Sequence, residues 1–258
     1  MPYNFGTYDH FAMAFLALLG TFLASAGMLW LAERSRFHNA LLSFQGIVPP
    51  FLNVIGVLFA LNLAFLANDT WAAHDRARDA VFTEAGALRG ILLESRQMPE
   101  AVRAKIEPVA LAYLRQGVTV EWPLLAGRAS DPKAVALLDD LQAELASPQV
   151  AAAASGPVQS LLLQQITQVR AMHDLRVALS QTHVNPLKWL GMAFLGFLTV
   201  VSIVMVHVEH PRAAFLSVLL FAAASAPTAA IVLVQGNPFQ EPLGVSAQPL
   251  ISLIEVGK

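Results

Sequence analysis

Long apolar segments dominate the hydrophobic pattern of this chain. Four segments contain no internal charge, apart from Lys188 at the edge of the third: residues 11–32, 40–68, 187–206 and 213–234. The apolar part of the second segment starts near Pro49, and Pro227 lies inside the fourth. A helix needs about 20 apolar residues to cross the roughly 30 Å of a bilayer's hydrocarbon. The pattern therefore predicts four transmembrane helices, arranged as two pairs.

The segment between the two pairs has a helical pattern. Apolar residues recur at helical spacing from Val81 to Leu92, and neither proline nor glycine separates them from the second apolar segment. One long helix is therefore predicted to leave the membrane and continue into this region. Further helices are predicted to begin at Pro99, at Asp131-Pro132, where the acid caps the first turn, and at Gly156-Pro157.

These elements predict an all-α fold. Residues 1–68 form the first transmembrane pair, with spans at 11–32 and 47–68, and residues 69–186 form a helical domain outside the bilayer. Residues 187–235 form the second pair, and 236–258 form a C-terminal tail. Ala24-Ser25-Ala26 looks like a signal-peptide cleavage site, but no Lys or Arg precedes it within Met1–His10. We therefore expect the first segment to remain as a span.

Composition supports a membrane protein. Of 258 residues 56% are hydrophobic and 13% charged, against about 25% charged in a soluble domain. The mean hydropathy is +0.56. The net charge of −2 suggests no nucleic-acid partner. The chain has no cysteine, which excludes disulfides, thiolate metal sites and cysteine nucleophiles.

Basic residues near the membrane ends predict the orientation. More of them flank the helical domain than the short loops on the other side: Arg76, Arg78, Arg170, Arg176 and Lys188, against Arg34, Arg36 and Arg212. Because cytoplasmic loops carry the excess of Lys and Arg, the domain and both termini are predicted to be cytoplasmic, in a cell inner membrane.

Motifs of enzymes are not apparent in the sequence. It has no glycine-rich phosphate loop and no nucleophile elbow. The only dense group of ligand-type residues is His207-Val208-Glu209-His210, and a metal site needs further converging ligands. A polar turn before Pro211 is the favoured interpretation. We expect no enzymatic activity, no metal and no cofactor.

The second apolar segment has two distinct faces on a 100° helical wheel. Small residues that permit close helix packing lie on one face with Asn53: Gly56, Ala60, Ala64 and Ala67. The opposite face carries Ile55, Leu58, Asn62, Leu66 and Asp69. An amide or an acid is costly facing lipid, so this face is predicted to line a pore, where apolar rings can form a dewetting constriction. The small face is expected to pack inside the subunit. The alternative is that Asn62 bonds to a neighbouring helix.

Charged residues crowd the exit of this helix. Trp71, Asp75 and Arg78 are predicted to form a cytoplasmic vestibule, or alternatively a solvated face whose charges pair with each other. Glu84 lies one turn or so deeper on a mostly apolar face, and a half-buried acid needs a partner. Arg170 and Arg176 are the candidates, and such a pair would make Glu84 structural.

Several short motifs resemble a known family. They are Trp71-x-x-x-Asp75-x-x-Arg78, Glu84-Ala85-x-Ala87-Leu88, Tyr113, Glu121-Trp122-Pro123, Pro238-Phe239 and Val245-Ser246-x-x-Pro249-Leu250. In this order they resemble the bestrophin-like membrane proteins of bacteria, also known as the domain of unknown function DUF4239, over about residues 45–255. One departure is Gln235-Gly236-Asn237 before Pro238, where the family usually has an acid, and another is the segment from Arg170 to Arg176, which is less basic than usual.

The resemblance implies a channel. Bestrophins are pentameric, ligand-gated anion channels whose second helix lines a hydrophobic neck, which would lie here near Val54, Leu58 and Asn62. The chain is expected to form a homo-oligomer, a pentamer, in the lipid bilayer. Its expected function is passive conduction of small inorganic ions, with chloride as the preferred candidate. Asp69 favours a cation channel as an alternative, because acidic rings select cations. A second alternative is a non-conducting scaffold or sensor that binds a partner through its cytoplasmic helices.

Overall fold

The structure is a computed structural model that describes residues 48–181, 186–207, 209–234, 236–241 and 243–256, together with residues 19, 20, 23, 26 and 27. The predicted first span, Arg34 and Arg36 lie outside these residues, apart from those five positions. The described part of the chain contains helices and turns and no strand, which agrees with the predicted all-α class.

Nine α-helices follow one another in the described residues from Val48 onward. They are α1 (Val48–Arg96), α2 (Glu100–Gln116), α3 (Trp122–Ala126), α4 (Pro132–Leu145), α5 (Pro148–Ala153), α6 (Gly156–Gln181), α7 (Pro186–Val206), α8 (Pro211–Val234) and α9 (Gln248–Val256). The predicted long helix is confirmed as α1, which has 49 residues. Asp131 caps α4 as predicted, since its carboxylate accepts a hydrogen bond from the backbone N–H of Lys133 at 3.2 Å.

A π-helical turn at Gly117–Glu121 joins α2 to α3 and was not predicted. A π-turn inserts one extra residue and changes the direction in which the following side chains point. Tyr113 precedes the turn, and Glu121 ends it, so the turn decides where the Glu121 carboxylate lies.

Three of the described helices are long and apolar enough to cross a membrane: Val48–Arg96, Leu187–Val206 and Arg212–Val232. They match the second, third and fourth predicted spans.

The chain divides into two compact units. Unit 1 comprises Met1–Trp71 and His183–Gly236, and unit 2 comprises Ala72–Thr182 and Asn237–Lys258. In unit 1, helices α7 and α8 pack on one side of α1 through Leu63, Leu66, Met192 and Val232. Glycines in α7 allow this approach, since a Cβ on Gly196 would lie 3.2 Å from Cε2 of Phe59.

Unit 2 has a continuous apolar core. Side chains from α1, α2, α4 and α6 meet there and are fully buried, among them Leu88, Ile106, Leu138 and Leu162. Burying a side chain of this size contributes about 1.5–3 kcal/mol. This core holds in place the polar groups described below.

Candidate functional site

Helix α1 presents two exposed strips in unit 1. One strip is bulky, with Phe51, Leu58 and Phe65 seven residues apart, which is almost two helical turns. The other, here called the small strip, combines smaller apolar residues with an amide at spacings of three and four: Val57, Leu61, Ala64 and Asn68. The two strips therefore lie side by side on the part of α1 that α7 and α8 leave uncovered.

The predicted pore residues do not share one face. Val54, Leu58 and Asp69 are exposed, whereas Asn62 is half-buried. The Nδ2 atom of Asn62 would lie 3.3 Å from a Cβ on Gly191, so this amide points toward α7. Asn62 therefore lies beside α7, and its hydrogen bond to a neighbouring helix stays a prediction.

Two residues of the predicted pore lining are interior residues of unit 1. Leu66 has no exposed surface and Ile55 is only 4% exposed. Their assignment to the pore is wrong, because a side chain covered within its own subunit does not face a shared axis. The small residues Ala60 and Ala64, expected inside the subunit, are exposed instead. Ala67 is buried as expected, so the covered side of α1 cuts across the two predicted faces, because α7 and α8 pack on the side that carries both Leu66 and Ala67.

Asp69 has a basic partner. The ammonium group of Lys188, at the start of α7, forms a hydrogen-bonded ion pair with the Asp69 carboxylate. Both side chains are about half exposed, so the pair contributes only about 0–1 kcal/mol to stability. The ammonium group also balances the negative charge of Asp69, for which the sequence alone showed no partner.

The three predicted vestibule residues are all exposed. The Arg78 guanidinium lies 5.7 Å from the ring centroid of Phe82, in the range of a cation–π contact. Arg76 donates from Nε to the carbonyl oxygen of Ala72 at 3.0 Å. These two arginines therefore have partners other than the acids with which pairing was expected. The assignment of Trp71, Asp75 and Arg78 to a cytoplasmic vestibule stays a prediction.

A cluster of charged groups is buried in unit 2. The guanidinium of Arg176 (α6) donates from Nε to Glu84 Oε2 at 2.9 Å and from Nη2 to Glu84 Oε1 at 3.2 Å. The same Nη2 donates to Glu121 Oε2 at 3.0 Å. Tyr113 (α2) donates its hydroxyl hydrogen to Glu84 Oε1. Arg176 is thus shared between one carboxylate from α1 and one from the π-turn.

Aromatic and imidazole rings complete this cluster. The Arg176 guanidinium lies 5.4 Å from the ring centroid of Trp122. His173, one turn before Arg176 on α6, places Nε2 2.9 Å from Glu121 Oε1 and Nδ1 3.3 Å from Asp174 Oδ1. His173 is buried, while the side chain of Asp174 is 69% exposed.

Titration in the cluster follows from these contacts. Burial raises the pKa of Glu121, but the hydrogen bond from His173 and the charge of Arg176 together lower it by more than burial raises it. The net pKa of Glu121 is therefore below its ordinary value. Burial lowers the pKa of Arg176, yet Glu84 and the other acidic groups raise it more. Burial raises the pKa of Tyr113 well above its ordinary value, and Glu84 adds to this, so the phenol keeps its proton.

Arg170 lies elsewhere. Its guanidinium pairs with Asp139 on α4, and both side chains are partly exposed. Of the two candidate partners for Glu84, the structure therefore brings Arg176 to the carboxylate and leaves Arg170 on the surface between α4 and α6.

The sequence contained a signal for the two cluster members that were missed, Glu121 and His173. In α6 the buried positions recur every three or four residues: Leu162, Ile166, Val169, His173, Arg176 and Ser180. A titratable residue at such a position needs a polar partner, so His173 could have been selected with Arg176. No sequence pattern marked Glu121 as buried, because the π-turn that directs its side chain was not predicted.

His207 and Glu209 lie in turns, and the backbone N–H of His210 donates to the carbonyl oxygen of His207 at 2.8 Å. The Nδ1–H of His207 donates to the carbonyl of Ile203 at 2.9 Å, while Glu209 and His210 are exposed. Among the described residues, no three His, Asp or Glu side chains converge as metal ligands.

Asn237, the last residue of the segment that departs from the resembled pattern, is buried in unit 2. Its Nδ2 donates to the carbonyls of Leu125 at 2.9 Å and Ala126 at 3.1 Å, and its Oδ1 accepts from the backbone N–H of Phe239 at 3.0 Å. The Phe239 ring packs edge-on against Trp122, with centroids 5.4 Å apart. This amide therefore joins the C-terminal segment to the end of α3, and a carboxylate could not make the two donations.

Known structures share this fold. A bacterial bestrophin homologue from Klebsiella pneumoniae, carrying one mutation, superposes with a TM-score of 0.70 at 17% identity, covering 95% of this chain and 96% of that one. The same homologue with another mutation gives 0.69 at 16% identity, covering 93% and 97%. A structure described as a membrane protein gives 0.69 at 16% identity, covering 95% and 97%.

Comparison of sequences supplies the family. No curated protein matches this chain. Residues 19–250 match the profile of the bestrophin-like domain, which covers most of the 258 residues. The chain belongs to the bestrophin-like family.

Proposed function

We propose that this chain assembles into a homo-oligomeric ring, a pentamer, in the cell inner membrane and conducts small anions such as chloride passively. Copies of α1 line the central axis with the small strip. Unit 2 and both termini are on the cytoplasmic side. The family and its fold give the starting point, and the exposed surface of α1 gives the residues.

The observation that carries this proposal is the contrast between the two exposed strips. An exposed amide such as Asn68 is costly in hydrocarbon, whereas exposed phenylalanines are well solvated by lipid. Phe51 and Phe65 therefore fit the lipid-facing side, and Asn68 fits a side that meets water or other copies. Small side chains on that side permit close packing around an axis.

Val57 and Leu61 form the proposed constriction. They are 59% and 49% exposed and lie one turn apart on the small strip. A ring of such side chains excludes water unless the ring widens, which is how apolar constrictions gate. Val57 and Leu61 each precede by one residue the Leu58 and Asn62 positions that the family resemblance placed in the neck. The proposed neck therefore lies on the small strip and not on the face with Val54, Leu58 and Asn62.

Charge supports anions over cations. Asp69 is the residue that favours cations, and Lys188 balances its carboxylate. At the other end of the span, the N-terminus of α1 carries the positive end of the helix dipole. No acidic residue occurs in the first turn of α1 to cancel it.

Ion flux in liposomes tests the proposal. The purified protein should pass chloride in preference to potassium. The Asp69–Lys188 pair lies at the end of the span, where its charges act on ions at the mouth of the pore rather than along the small strip. Lys188→Ala leaves Asp69 unpaired and should shift the permeability ratio toward potassium, whereas Asp69→Asn should shift it toward chloride. Lys105→Ala, whose exposed ammonium bonds Gln149 in unit 2, is the control and should change neither.

Three outcomes would contradict the proposal. Flux of neither ion would favour the scaffold. A parent that prefers potassium would favour the cation channel. Identical permeability ratios for the parent, Lys188→Ala and Asp69→Asn would remove the pair from the permeation path.

A further inference from the structure

His173 lies between two carboxylates. Its Nε2 is 2.9 Å from Glu121 Oε1, and its Nδ1 is 3.3 Å from Asp174 Oδ1. A neutral imidazole carries one N–H, so one of its nitrogens would direct a lone pair at a carboxylate. Only the imidazolium donates to both. The geometry around His173 therefore fits the protonated ring.

The charges of the surrounding elements balance only with that proton in place. The buried groups facing this site are Glu84 from α1, Tyr113 from α2, Glu121 from the π-turn and Arg176 from α6. Tyr113 is neutral, so the two carboxylates are matched by Arg176 and an imidazolium. Loss of the proton leaves one uncompensated negative charge in a buried site, which is costly.

The proton has a route to solvent. The His173 side chain is 2% exposed, but the Asp174 carboxylate beside Nδ1 is 69% exposed. We propose that His173 is a proton switch of unit 2: uptake of a proton at Nδ1 through the Asp174 side completes the buried charge cluster and holds the π-turn 117–121 through Glu121. The switch requires no conduction through the oligomer.

The direction of the pH effect follows from linkage. Burial lowers the pKa of His173, but the hydrogen bond and charge of Glu121 raise it more, so the net pKa lies above the ordinary value. Such a group stabilises the fold fully below about pH 6.5, and the stabilisation is lost as pH rises through the raised pKa. The pKa of Glu121 is lowered by folding, so its stabilisation of the fold is fully present above about pH 4.5. That stabilisation is lost as pH falls through the pKa of Glu121 in the folded state. The cluster is therefore most stable between these limits.

Thermal unfolding of the intact protein in nanodiscs tests the switch. Between about pH 6 and pH 8.5, the unfolding midpoint of the parent should fall by about 2–8 °C. His173→Gln keeps an N–H donor for Glu121 but does not titrate, so its midpoint should stay flat over this range. His210→Gln changes an exposed histidine of unit 1 and should follow the parent.

NMR titration of the His173 ring in the parent gives a second, independent readout. The ring should titrate above pH 6.5, and Asp174→Asn should lower that midpoint while leaving the fold intact. The proposal is overturned if His173→Gln keeps the pH dependence of the parent. A His173 ring that titrates below pH 6.5 in the parent overturns it as well, whether or not the glutamine variant folds.

Discussion

The two units of this chain handle apolar side chains in opposite ways. In unit 2, Leu88, Leu138 and Leu162 have no exposed surface, so the unit completes its own core. In unit 1, Phe65 is 65% exposed and Val57 59% exposed. Exposed apolar surface of this kind is stable only against lipid or other protein. Unit 2 is therefore stabilised within the chain, and unit 1 by its surroundings.

The partners of polar groups also differ between the two units. In unit 1, hydroxyls return to their own helices, as in Thr199 to the Leu195 carbonyl, Ser202 to that of Leu198 and Ser225 to that of Phe221, each at 2.8 Å. This pattern satisfies a polar group without any partner helix, as a membrane helix requires. Hydroxyls of unit 2 such as those of Ser95 and Thr167 do the same. The difference is that unit 2 also buries charges from distant parts of the chain, whereas the Asp69–Lys188 pair of unit 1 is half exposed, so the stability of unit 2 depends on each buried partner being present.

Removing Arg176 should give the largest effect. Arg176→Met leaves Glu84 and Glu121 buried without their shared cation, which costs about 3–5 kcal/mol. Chemical denaturation followed by fluorescence should show unit 2 unfolding at much lower denaturant. Arg89→Met, an exposed change on α1 in the same unit, should stay within about 0.5 kcal/mol. Equal stabilities for both variants would mean that the cluster does not hold unit 2 together.

Asn237→Asp should have an intermediate effect. The aspartate keeps the acceptor for Phe239 but loses both donations to the carbonyls of α3 and adds a charge beside them, which costs about 1–3 kcal/mol. Limited proteolysis should cut the C-terminal segment faster. Gln248→Glu, the same chemical change at an exposed position of that segment, should cleave like the parent.

If Asn237→Asp resists protease as the parent does, Asn237 does not anchor the segment. Unit 2 would then need no C-terminal contribution, which would weaken its contrast with unit 1.

A pair of glycines in α1 gives the smallest effect. A Cβ on Gly90 would lie 2.7 Å from Cδ of Gln165 on α6, so Gly90→Ala should cost about 1 kcal/mol while Gln165 moves. A Cβ on Gly86 would contact nothing within 4 Å, so Gly86→Ala should stabilise the helix by about 0.5–1 kcal/mol. Thermal unfolding of both variants measures the difference. A change in stability of the same sign in both variants would show that the close approach of α6 does not exclude a larger side chain at position 90.

Sequence patterns accounted for the elements better than for their faces. Apolar length and spacing predicted α1, α7 and α8, and Asp131 marked the start of α4, because these signals are local. The wheel was wrong about the faces of α1, because it grouped the buried Leu66 with the exposed Leu58, and the exposed Ala64 with the buried Ala67. Both sides are apolar, and which one α7 and α8 cover is a property of tertiary packing. Glu84 was recognised as needing a partner because it lies on an apolar face of a regular helix. The burial of Glu121 depends on the π-turn, which no local pattern indicated.

Accessibility of single cysteines tests the small strip most directly, because the parent chain has no cysteine to interfere. Leu61→Cys and Leu58→Cys lie on the two neighbouring exposed strips of α1 and can be treated with a membrane-impermeant thiol reagent during ion-flux measurement. We predict that Leu61→Cys reacts and its flux is blocked, while Leu58→Cys neither reacts nor changes. Reaction and block at Leu58→Cys but not at Leu61→Cys would contradict a pore lined by the small strip.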